Sequence, residues 1–229
     1  MYDLGKGVSQ NYKEAVKWFK LSAEQGIKEG QTNLGTMHEK GHGVVQDYKE
    51  AVKWYQLSAD QGFIDGQLNL GMMYEKGHGV SQDYKEAVKW FRLSAKQKSM
   101  EAHSNLGVMF KNGTGVSRDY KEAAKWFEIS ADQGFAVAQY NLGVMHNYGQ
   151  GYARDYKKAA KWYHLAADQE YKLAQRALGL LYESGKLGKK NYVLAYLWFE
   201  LAITQGDEDA VIDKMRLEYT EAQAIKNVT

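Results

Sequence analysis

Apolar and small side chains recur along this chain at the spacing of an amphipathic helix, and the whole pattern returns every 36 residues. In one representative stretch they fall at Gly66, Leu70, Met73 and Tyr74. This i, i+4, i+7, i+8 spacing is typical of one face of an α-helix. A Gly-x-Gly sequence follows, and glycine adopts the left-handed conformation that ends a helix. The pattern therefore predicts a helix, called helix A, from Gly66 to Lys76.

A second helix, called helix B, is predicted to follow Asp83 in the same repeat. Asp is a favoured N-cap residue, and Glu86 three residues later completes the pattern of a capping box. The apolar and small residues of helix B again share one face: Tyr84, Ala87, Val88, Phe91 and Ala95, with Trp90 beside them. The patterns predict lengths of about ten residues for helix A and about fifteen for helix B.

Three columns of residues define the period. Tryptophan occurs at Trp18, Trp54, Trp90, Trp126, Trp162 and Trp198. Tyrosine occurs at Tyr12, Tyr48, Tyr84, Tyr120, Tyr156 and Tyr192, and a Leu-Gly pair begins at Leu34, Leu70, Leu106, Leu142 and Leu178. Two short helices cannot bury both apolar faces alone, so stacked repeats must share them. The columns therefore predict one all-α solenoid domain.

The period also predicts where the repeats begin and end. We expect a half repeat over residues 1–30, full repeats over 31–66, 67–102, 103–138, 139–174 and 175–210, and a polar C-terminal capping helix region over 211–229. The first residues, Met1 to Val8, match the middle of the repeat, so we expect the chain to be a fragment. The cap region keeps Met215 and Tyr219 but loses the Leu-Gly pair, the Gly-x-Gly sequence and the tryptophan.

Composition narrows the classes of function. The formal net charge is +2, with 30 basic and 28 acidic residues mixed along the chain, which argues against the basic patch that nucleic-acid binding needs. There is no cysteine, so neither a disulfide framework nor a thiolate metal site is predicted. No apolar run reaches the roughly 18 residues of a transmembrane helix.

No catalytic or cofactor motif is found in the sequence. The Gly-x-Gly loops lack the Gly-Lys-Ser/Thr ending of a phosphate-binding loop, and there is neither a Gly-x-Ser-x-Gly nor a His-Glu-x-x-His sequence. His42 and His78 occupy equivalent loop positions in adjacent repeats and are predicted to be exposed, whereas His38 and His146 are predicted to pack. We therefore expect no enzyme activity, no cofactor and no metal.

The recurring phrase Asn-Leu-Gly-x-Met-Tyr-x-x-Gly-x-Gly-Val, followed by Asp-Tyr-x-x-Ala-x-x-Trp-Phe/Tyr, resembles the Sel1-like repeat, a relative of the tetratricopeptide repeat. The resemblance covers residues 1–210. It implies a right-handed α/α superhelical solenoid of antiparallel helix pairs, with the A helices lining a concave face. The closely similar repeats resemble those of bacterial members, for which a secreted or periplasmic location is an expectation, although this chain includes no signal peptide. A cysteine-containing branch, for which β-lactam binding is known, is not indicated because this chain has no cysteine.

The resemblance also indicates candidate binding residues on helix A. An asparagine precedes most Leu-Gly pairs, at Asn33, Asn69, Asn105 and Asn141. An Asn amide both donates and accepts hydrogen bonds, so such a column could pair with an extended peptide. The alternative is that each Asn ties its own repeat to the next.

The positions that the repeat leaves variable are the second group of candidates. Predicted apolar contacts in the middle of the chain are Leu68, Met72, Tyr140, Val144 and Tyr148, and Arg176 follows Tyr140 in its column. Apolar residues on an otherwise solvated face indicate a binding groove. The alternative is that some of them pack against the next helix A.

The function that we expect is a non-enzymatic scaffold or adaptor, a monomer that binds a peptide or partner protein in the groove lined by the A helices. Two alternatives stay open at this point. One is an envelope-associated module that binds cell-wall or other non-protein ligands. The other is a structural assembly element with partners on the convex face.

Overall fold

The structure, a computed structural model, describes the backbone of residues 10–226 and the side chains of residues 10–220. Within this part of the chain it contains twelve α-helices and no β-strand, which confirms the predicted all-α repeat fold. The first nine residues of the predicted half repeat and the last three of the predicted cap lie outside the described residues. No described helix is long and apolar enough to span a membrane.

The helices group into two compact units, called unit 1 (Met1–Arg118) and unit 2 (Asp119–Thr229). In unit 1 each helix packs against the next along the chain. The B helices of unit 1 are α1 (Tyr12–Glu24), α3 (Tyr48–Asp60) and α5 (Tyr84–Lys96). Its A helices are α2 (Lys28–Lys40), α4 (Ile64–Lys76) and α6 (Met100–Asn112).

Unit 2 alternates in the same way, and its consecutive helices also pack against each other. The B helices of unit 2 are α7 (Tyr120–Asp132), α9 (Tyr156–Ala167) and α11 (Tyr192–Thr204). Its A helices are α8 (Ala136–Tyr148), α10 (Lys172–Ser184) and α12 (Glu208–Lys226).

The helix ends confirm Asp83 as an N-cap but correct the predicted capping box, because the Asp83 N–H donates to the Tyr74 carbonyl and the Glu86 carboxylate pairs with Lys89. They also correct the predicted lengths. The Asp83 carboxylate accepts hydrogen bonds from the backbone N–H groups of Lys85 and Glu86, at 2.9 and 3.1 Å. Helices α4 and α5 have 13 residues each, rather than about ten and fifteen. Helix α4 begins at Ile64, two residues before the first residue of the apolar pattern.

Two sets of small residues let the helices approach closely, as predicted. Gly66 lies against Ser58 of the preceding helix B, where an added Cβ would stand 2.6 Å from Ser58 Oγ. Gly71, of the Leu-Gly pair, lies against the Phe91 ring of the following helix B, where an added Cβ would stand 2.7 Å from the ring. Helix α4 therefore uses one small residue for each of its two neighbouring B helices.

Each Gly-x-Gly loop joins helix A to helix B of the same repeat and contacts helix B of the preceding repeat. The second glycine, Gly79, has a φ of +73° and lies directly on the backbone of Tyr48, where a Cβ would collide with the Tyr48 carbonyl. His78 stacks on the Tyr48 ring with centroids 4.5 Å apart, and His42 stacks on Tyr12 at 4.4 Å. The prediction that these two histidines are simply exposed is therefore wrong, because each ring covers the start of the preceding helix B.

The tryptophan column is less uniform than the sequence indicated. Trp90 is buried at 8% exposure, whereas Trp18 is 57% exposed. The fully buried aromatic side chains belong to the next position along helix B: Tyr55, Phe91, Phe127, Tyr163 and Phe199. The period finds both columns, but only the packing shows which one forms the core.

Helix α12 corrects the prediction for the C-terminal cap. It begins at Glu208 rather than residue 211, and its first residue lies 36 positions after the first residue of α10, in the register of a helix A. Leu217 supplies its buried contact, whereas Met215 and Tyr219 are exposed. With Ile212 they form an exposed apolar stripe on a helix that was predicted to be polar outside.

Candidate functional site

A cleft in unit 2 brings together several of the predicted binding residues. It lies between α8 and α10, has a volume of about 320 Å³, and has Tyr163 of α9 in its lining. Its lining consists of Tyr140, Val144, Asn147, Tyr148, Tyr163, Leu173, Arg176, Ala177, Leu180, Leu181 and Lys186. Four of these, Tyr140, Val144, Tyr148 and Arg176, are among the residues that the sequence predicted.

Tyrosine rings form one side of the cleft. The Tyr140 ring lies 5.8 Å from the Tyr163 ring and 5.4 Å from the Tyr171 ring, centroid to centroid. Burial raises the pKa of the Tyr140 hydroxyl, and the neighbouring Tyr171 adds to the rise. The hydroxyl therefore stays neutral at physiological pH and can both donate and accept a hydrogen bond.

Asn147 supplies a polar side chain to the lining of the cleft. Burial raises the pKa of Tyr163, and a hydrogen bond from the Asn147 side chain to the Tyr163 hydroxyl opposes that rise. The Asn147 Oδ1 atom is buried and has no hydrogen-bond partner. Buried polar groups without a partner are uncommon and costly, so this acceptor needs an explanation.

The two basic residues of the cleft differ in their surroundings. Arg176 is neutralised, because its guanidinium binds Asp213 and Asp209 of α12, each at 2.7 Å. Lys186 lies in the loop after α10, is exposed, and places Nζ 5.2 Å from the centre of the Tyr156 ring. The rim is apolar and exposed, with Tyr148 62% exposed and Leu173 and Leu180 about a third exposed.

The predicted asparagine column does not act as one set. Asn33 is exposed and Asn69 and Asn105 are half-buried, whereas Asn141 is buried. The Asn141 side-chain N–H donates to the Val137 carbonyl of its own helix at 2.9 Å. Asn141 does not line the cleft of unit 2.

The remaining predicted contacts, Leu68 and Met72, belong to unit 1. Both lie on α4 and are half-buried. An open cleft in unit 1 has a different lining, near the ends of α4 and α6: Glu75, Lys76, His78, Gln82, Tyr84, Val108, Asn112 and Thr114. The structure thus assigns Leu68 and Met72 to a different unit from Tyr140, Val144 and Tyr148.

The region of unit 1 that is equivalent to the cleft lies between α2 and α4, and we call it the α2–α4 groove. It includes Thr32, Thr36 and Glu39 of α2 and Tyr55 of α3, whose side chains form hydrogen bonds within the protein. The Tyr55 hydroxyl donates to Glu39 Oε2 at 2.6 Å and lies 3.1 Å from Thr36 Oγ1. The Thr32 hydroxyl lies 2.7 Å from the hydroxyl of Ser58. These polar groups therefore have partners within the protein.

Sequence reasoning missed two structural columns and the cleft residue Lys186. Glutamines 30 positions apart are joined by side-chain hydrogen bonds, as in Gln61 to Gln31 at 2.7 Å and Gln97 to Gln67 at 2.9 Å. The buried Ser58 donates to the Lys28 carbonyl at 2.9 Å in the same way. Their periodicity was a usable signal. No sequence signal indicates Lys186, and Asn147 is only one of several variable residues.

No cluster of metal ligands accompanies the cleft in the described part of the chain. Among the described residues there is no group of three His, Asp or Glu side chains that could hold a metal ion. His146 is buried and stacks on Tyr152, with centroids 4.2 Å apart. Burial lowers the pKa of His146, and Lys158 lowers it further, so its ring is a neutral packed group, as predicted.

Comparison with family models finds the Sel1 repeat in six segments: residues 1–27, 28–63, 64–99, 101–135, 136–171 and 172–207. The repeat boundaries derived above from the sequence period stay a prediction. A search of curated proteins returns no match.

Solved structures of bacterial proteins resemble the chain in sequence and fold. A protective antigen present in uropathogenic Escherichia coli strains is 36% identical over 94% of this chain, with a TM-score of 0.79, and the chain spans 46% of that antigen's length. A Sel1 repeat protein from Oxalobacter formigenes is 34% identical, with 91% of this chain and 83% of that protein covered and a TM-score of 0.82. An immunity protein from Pseudomonas aeruginosa shares the fold alone, at 18% identity over 86% of this chain and 75% of its own, with a TM-score of 0.59.

Proposed function

Because the chain belongs to the Sel1 repeat family, whose repeats mediate protein–protein interactions and whose members are generally not enzymes, we propose that this protein is a non-enzymatic scaffold that binds a peptide or partner-protein segment at the cleft of unit 2. The proposed binding surface is formed mainly by the A helices α8 and α10. Tyr140, Val144, Tyr148 and Arg176 contribute to it directly.

The observation that supports this proposal most is that four of the predicted residues line one cleft. The cleft combines exposed apolar rim residues with a few polar groups, which is the usual composition of a recognition site. Tyrosine is also among the residue types that contribute most to binding energy at interfaces. The other predicted contacts, Asn33, Asn69, Asn105, Asn141, Leu68 and Met72, are proposed as further contacts of a longer partner.

Peptide display tests this proposal because it needs no identified partner. Peptides from a random library are selected on the protein and then measured against the double variant Tyr148→Ala/Leu180→Ala. Both side chains are exposed rim residues, so their loss should leave helical content in circular dichroism unchanged. We expect affinity to fall at least tenfold, because the rim would lose two apolar contacts.

Leu165→Ala is the matched control. Leu165 is an exposed leucine of unit 2 on α9, and it does not line the cleft. Selected peptides should bind this variant as they bind the original protein. Equal binding to the original, double-variant and control proteins would show that the cleft is not the peptide site.

A further inference from the structure

Helix α11 differs from the other B helices on its outward face. In α1, α3, α5 and α7 a glutamate pairs with the lysine three residues later, as Glu122 does with Lys125 at 3.0 Å. The equivalent residues of α11 are Leu194 and Leu197, and Val193 stands where every other helix B has a lysine. Val193 is 70% exposed and Leu197 is 51% exposed. Helix α11 therefore has an aliphatic surface where the other B helices have a charged one.

Stacking of a further repeat would not cover this aliphatic surface. Ile129 of α7 is equivalent to the exposed Leu201 of α11, and Ile129 remains exposed although the next helix B, α9, follows it. Lys125, on the same face of α7, is exposed too. Val193, Leu197 and Leu201 therefore form an outward stripe at positions i, i+4 and i+8 of one helix.

Basic residues are concentrated beside this stripe. Residues 154–161 include four basic residues and one acidic residue, and residues 186–197 include three basic residues and no acidic one. Lys186 Nζ lies 5.2 Å from the centre of the Tyr156 ring, so the loop before α11 reaches the start of α9. The two basic segments therefore lie at the same end of α9 and α11.

Helices α9 and α11 are neighbours, because the rings of His164 and Trp198 have centroids 5.3 Å apart. Their exposed outward residues form one surface, called the α9–α11 face. It consists of Lys157, Lys161, Lys189, Val193, Leu197 and Leu201.

Few acidic groups offset the positive charge of this face. The Asp155 carboxylate is the N-cap of α9 and accepts a hydrogen bond from the backbone N–H of Lys158. Glu200, the only acidic residue of α11, pairs with Lys214. Asp168 lies at the opposite end of α9. An anionic partner is therefore favoured at the start of α9 and α11.

The combination of aliphatic residues with lysines favours a lipid surface over a protein. Lysine is depleted at protein–protein interfaces, and leucine and valine are under-represented among the residues that contribute most to their binding energy. Leucine beside lysines is typical instead of segments that lie on an anionic membrane surface.

We propose that the α9–α11 face binds an anionic lipid surface. Its lysines contact the lipid phosphates, and Val193, Leu197 and Leu201 enter between the headgroups. This surface belongs to B helices, whereas the cleft lies between the A helices α8 and α10. The inference therefore does not depend on the proposed function.

Vesicle co-sedimentation of the full chain at low salt tests this inference. The probes are vesicles of equal parts of phosphatidylglycerol and phosphatidylcholine, and vesicles of phosphatidylcholine alone. We expect binding to the mixed vesicles to be at least about tenfold tighter, and to weaken as salt is added, because lysines bind the lipids by charge. Equal binding to both kinds of vesicle, or binding to neither, would overturn the inference.

Leu197→Lys tests the aliphatic stripe, because it introduces the residue that every other helix B has at this position. Binding to the mixed vesicles should weaken at least about threefold despite the added positive charge, because an apolar contact with the lipid is lost. Leu57→Lys, at an exposed leucine of α3, is the matched control and should bind no more weakly than the original protein. Both variants should keep their helical content in circular dichroism. Unchanged or tighter binding of Leu197→Lys contradicts the proposal.

Charge reversal tests the lysines. Lys157→Glu/Lys189→Glu should weaken binding to the mixed vesicles at least about tenfold. Lys49→Glu/Lys85→Glu makes the same change of net charge at exposed lysines of unit 1 and should weaken it less. Equal losses would mean that binding follows net charge rather than this face. A dimer in gel filtration that Leu197→Lys converts to a monomer would assign the face to a second copy and overturn the inference.

Discussion

The α2–α4 groove of unit 1 and the cleft of unit 2 occupy equivalent places in different repeats. In the groove the polar side chains form hydrogen bonds with one another, whereas the cleft has a polar atom without a partner. Both have a tyrosine from the intervening helix B, Tyr55 or Tyr163. Around it, Thr32, Thr36 and Glu39 of the groove are replaced by Tyr140, Val144 and Asn147 in the cleft. These replacements, with others in the lining such as Leu68 to Arg176 and Met72 to Leu180, separate a surface whose polar groups bond to one another from one with an unpartnered acceptor.

This difference shows how such a solenoid can acquire a binding site without a change of fold. One packing contact below the surface is the same in both places, because Gly35 and Gly143 each lie against the tyrosine ring. The side chains above that contact differ, as does the buried Ser58, whose equivalent in unit 2 is Ala166. We expect mutations of the shared layer to affect both regions alike, and mutations of the upper layer to affect them differently.

The largest effect is expected from the shared glycines. Gly35→Ala would place a Cβ 2.7 Å from the Tyr55 ring, and Gly143→Ala would place one closer still to the Tyr163 ring. Overpacking of this kind costs about 1–3 kcal/mol, and the better helix propensity of Ala returns at most about 1 kcal/mol. We expect both variants to lose about 1–2 kcal/mol of unfolding free energy in urea denaturation.

Gly66→Ala is the control for these two variants. Its added Cβ would also be close, 2.6 Å from Ser58 Oγ, but alanine already stands opposite the equivalent serine at Ala102 and Ala138, so Gly66→Ala should lose less unfolding free energy than Gly35→Ala or Gly143→Ala. A loss at only one of Gly35 and Gly143 would contradict a shared packing layer.

The second-largest change in unfolding free energy should distinguish Tyr55 of the groove from Tyr163 of the cleft. Tyr55→Phe removes the donor to the Glu39 carboxylate, and hydrogen bonds to charged groups are worth about 1.5–3 kcal/mol. Tyr163→Phe removes only a bond with the neutral Asn147 and should cost about 1 kcal/mol or less. Phenylalanine occupies this position at Phe91, Phe127 and Phe199, so the ring itself is accepted.

Urea denaturation of the two variants measures this difference directly. Equal losses of unfolding free energy would mean that the polar layer above the rings is not what distinguishes the groove from the cleft.

The smallest effect concerns pH. Burial, with Lys158, lowers the pKa of His146 below its usual 6.5, while Asp155 and Glu128 oppose the shift. The unfolded chain therefore takes up a proton more readily than the folded one, and stability should fall as the pH drops below about 6.5. His146→Phe introduces the residue that stands at the equivalent position of unit 1, Phe110. This variant should lose less stability than the original protein between pH 8 and pH 5.

Urea midpoints at several pH values test this prediction as a difference between the two proteins. If both curves fall in parallel through this range, His146 does not contribute to the pH dependence.

Much of the fold and part of the site could be predicted from the sequence. The Asp83 cap, the close approach at Gly66 and Gly71, and the inclusion of Tyr140 and Val144 in a surface all follow from spacing. The stacking of His78 on Tyr48, the exposure of Trp18 and the apolar stripe of α12 did not follow. Each of these depends on which neighbouring helix covers a given residue, and spacing within one helix does not contain that information.

The sequence by itself determined the repeat, the helix pairs and the set of positions that the repeat leaves free. A period of 36 residues suffices for this, because equivalent residues meet equivalent neighbours in a stack. Only the tertiary structure decided which of these variable side chains have hydrogen-bond partners within the protein. The Oδ1 of Asn147 lacks one and the carboxylate of Glu39 has one, because hydrogen bonds depend on distances between helices, which the tertiary structure sets.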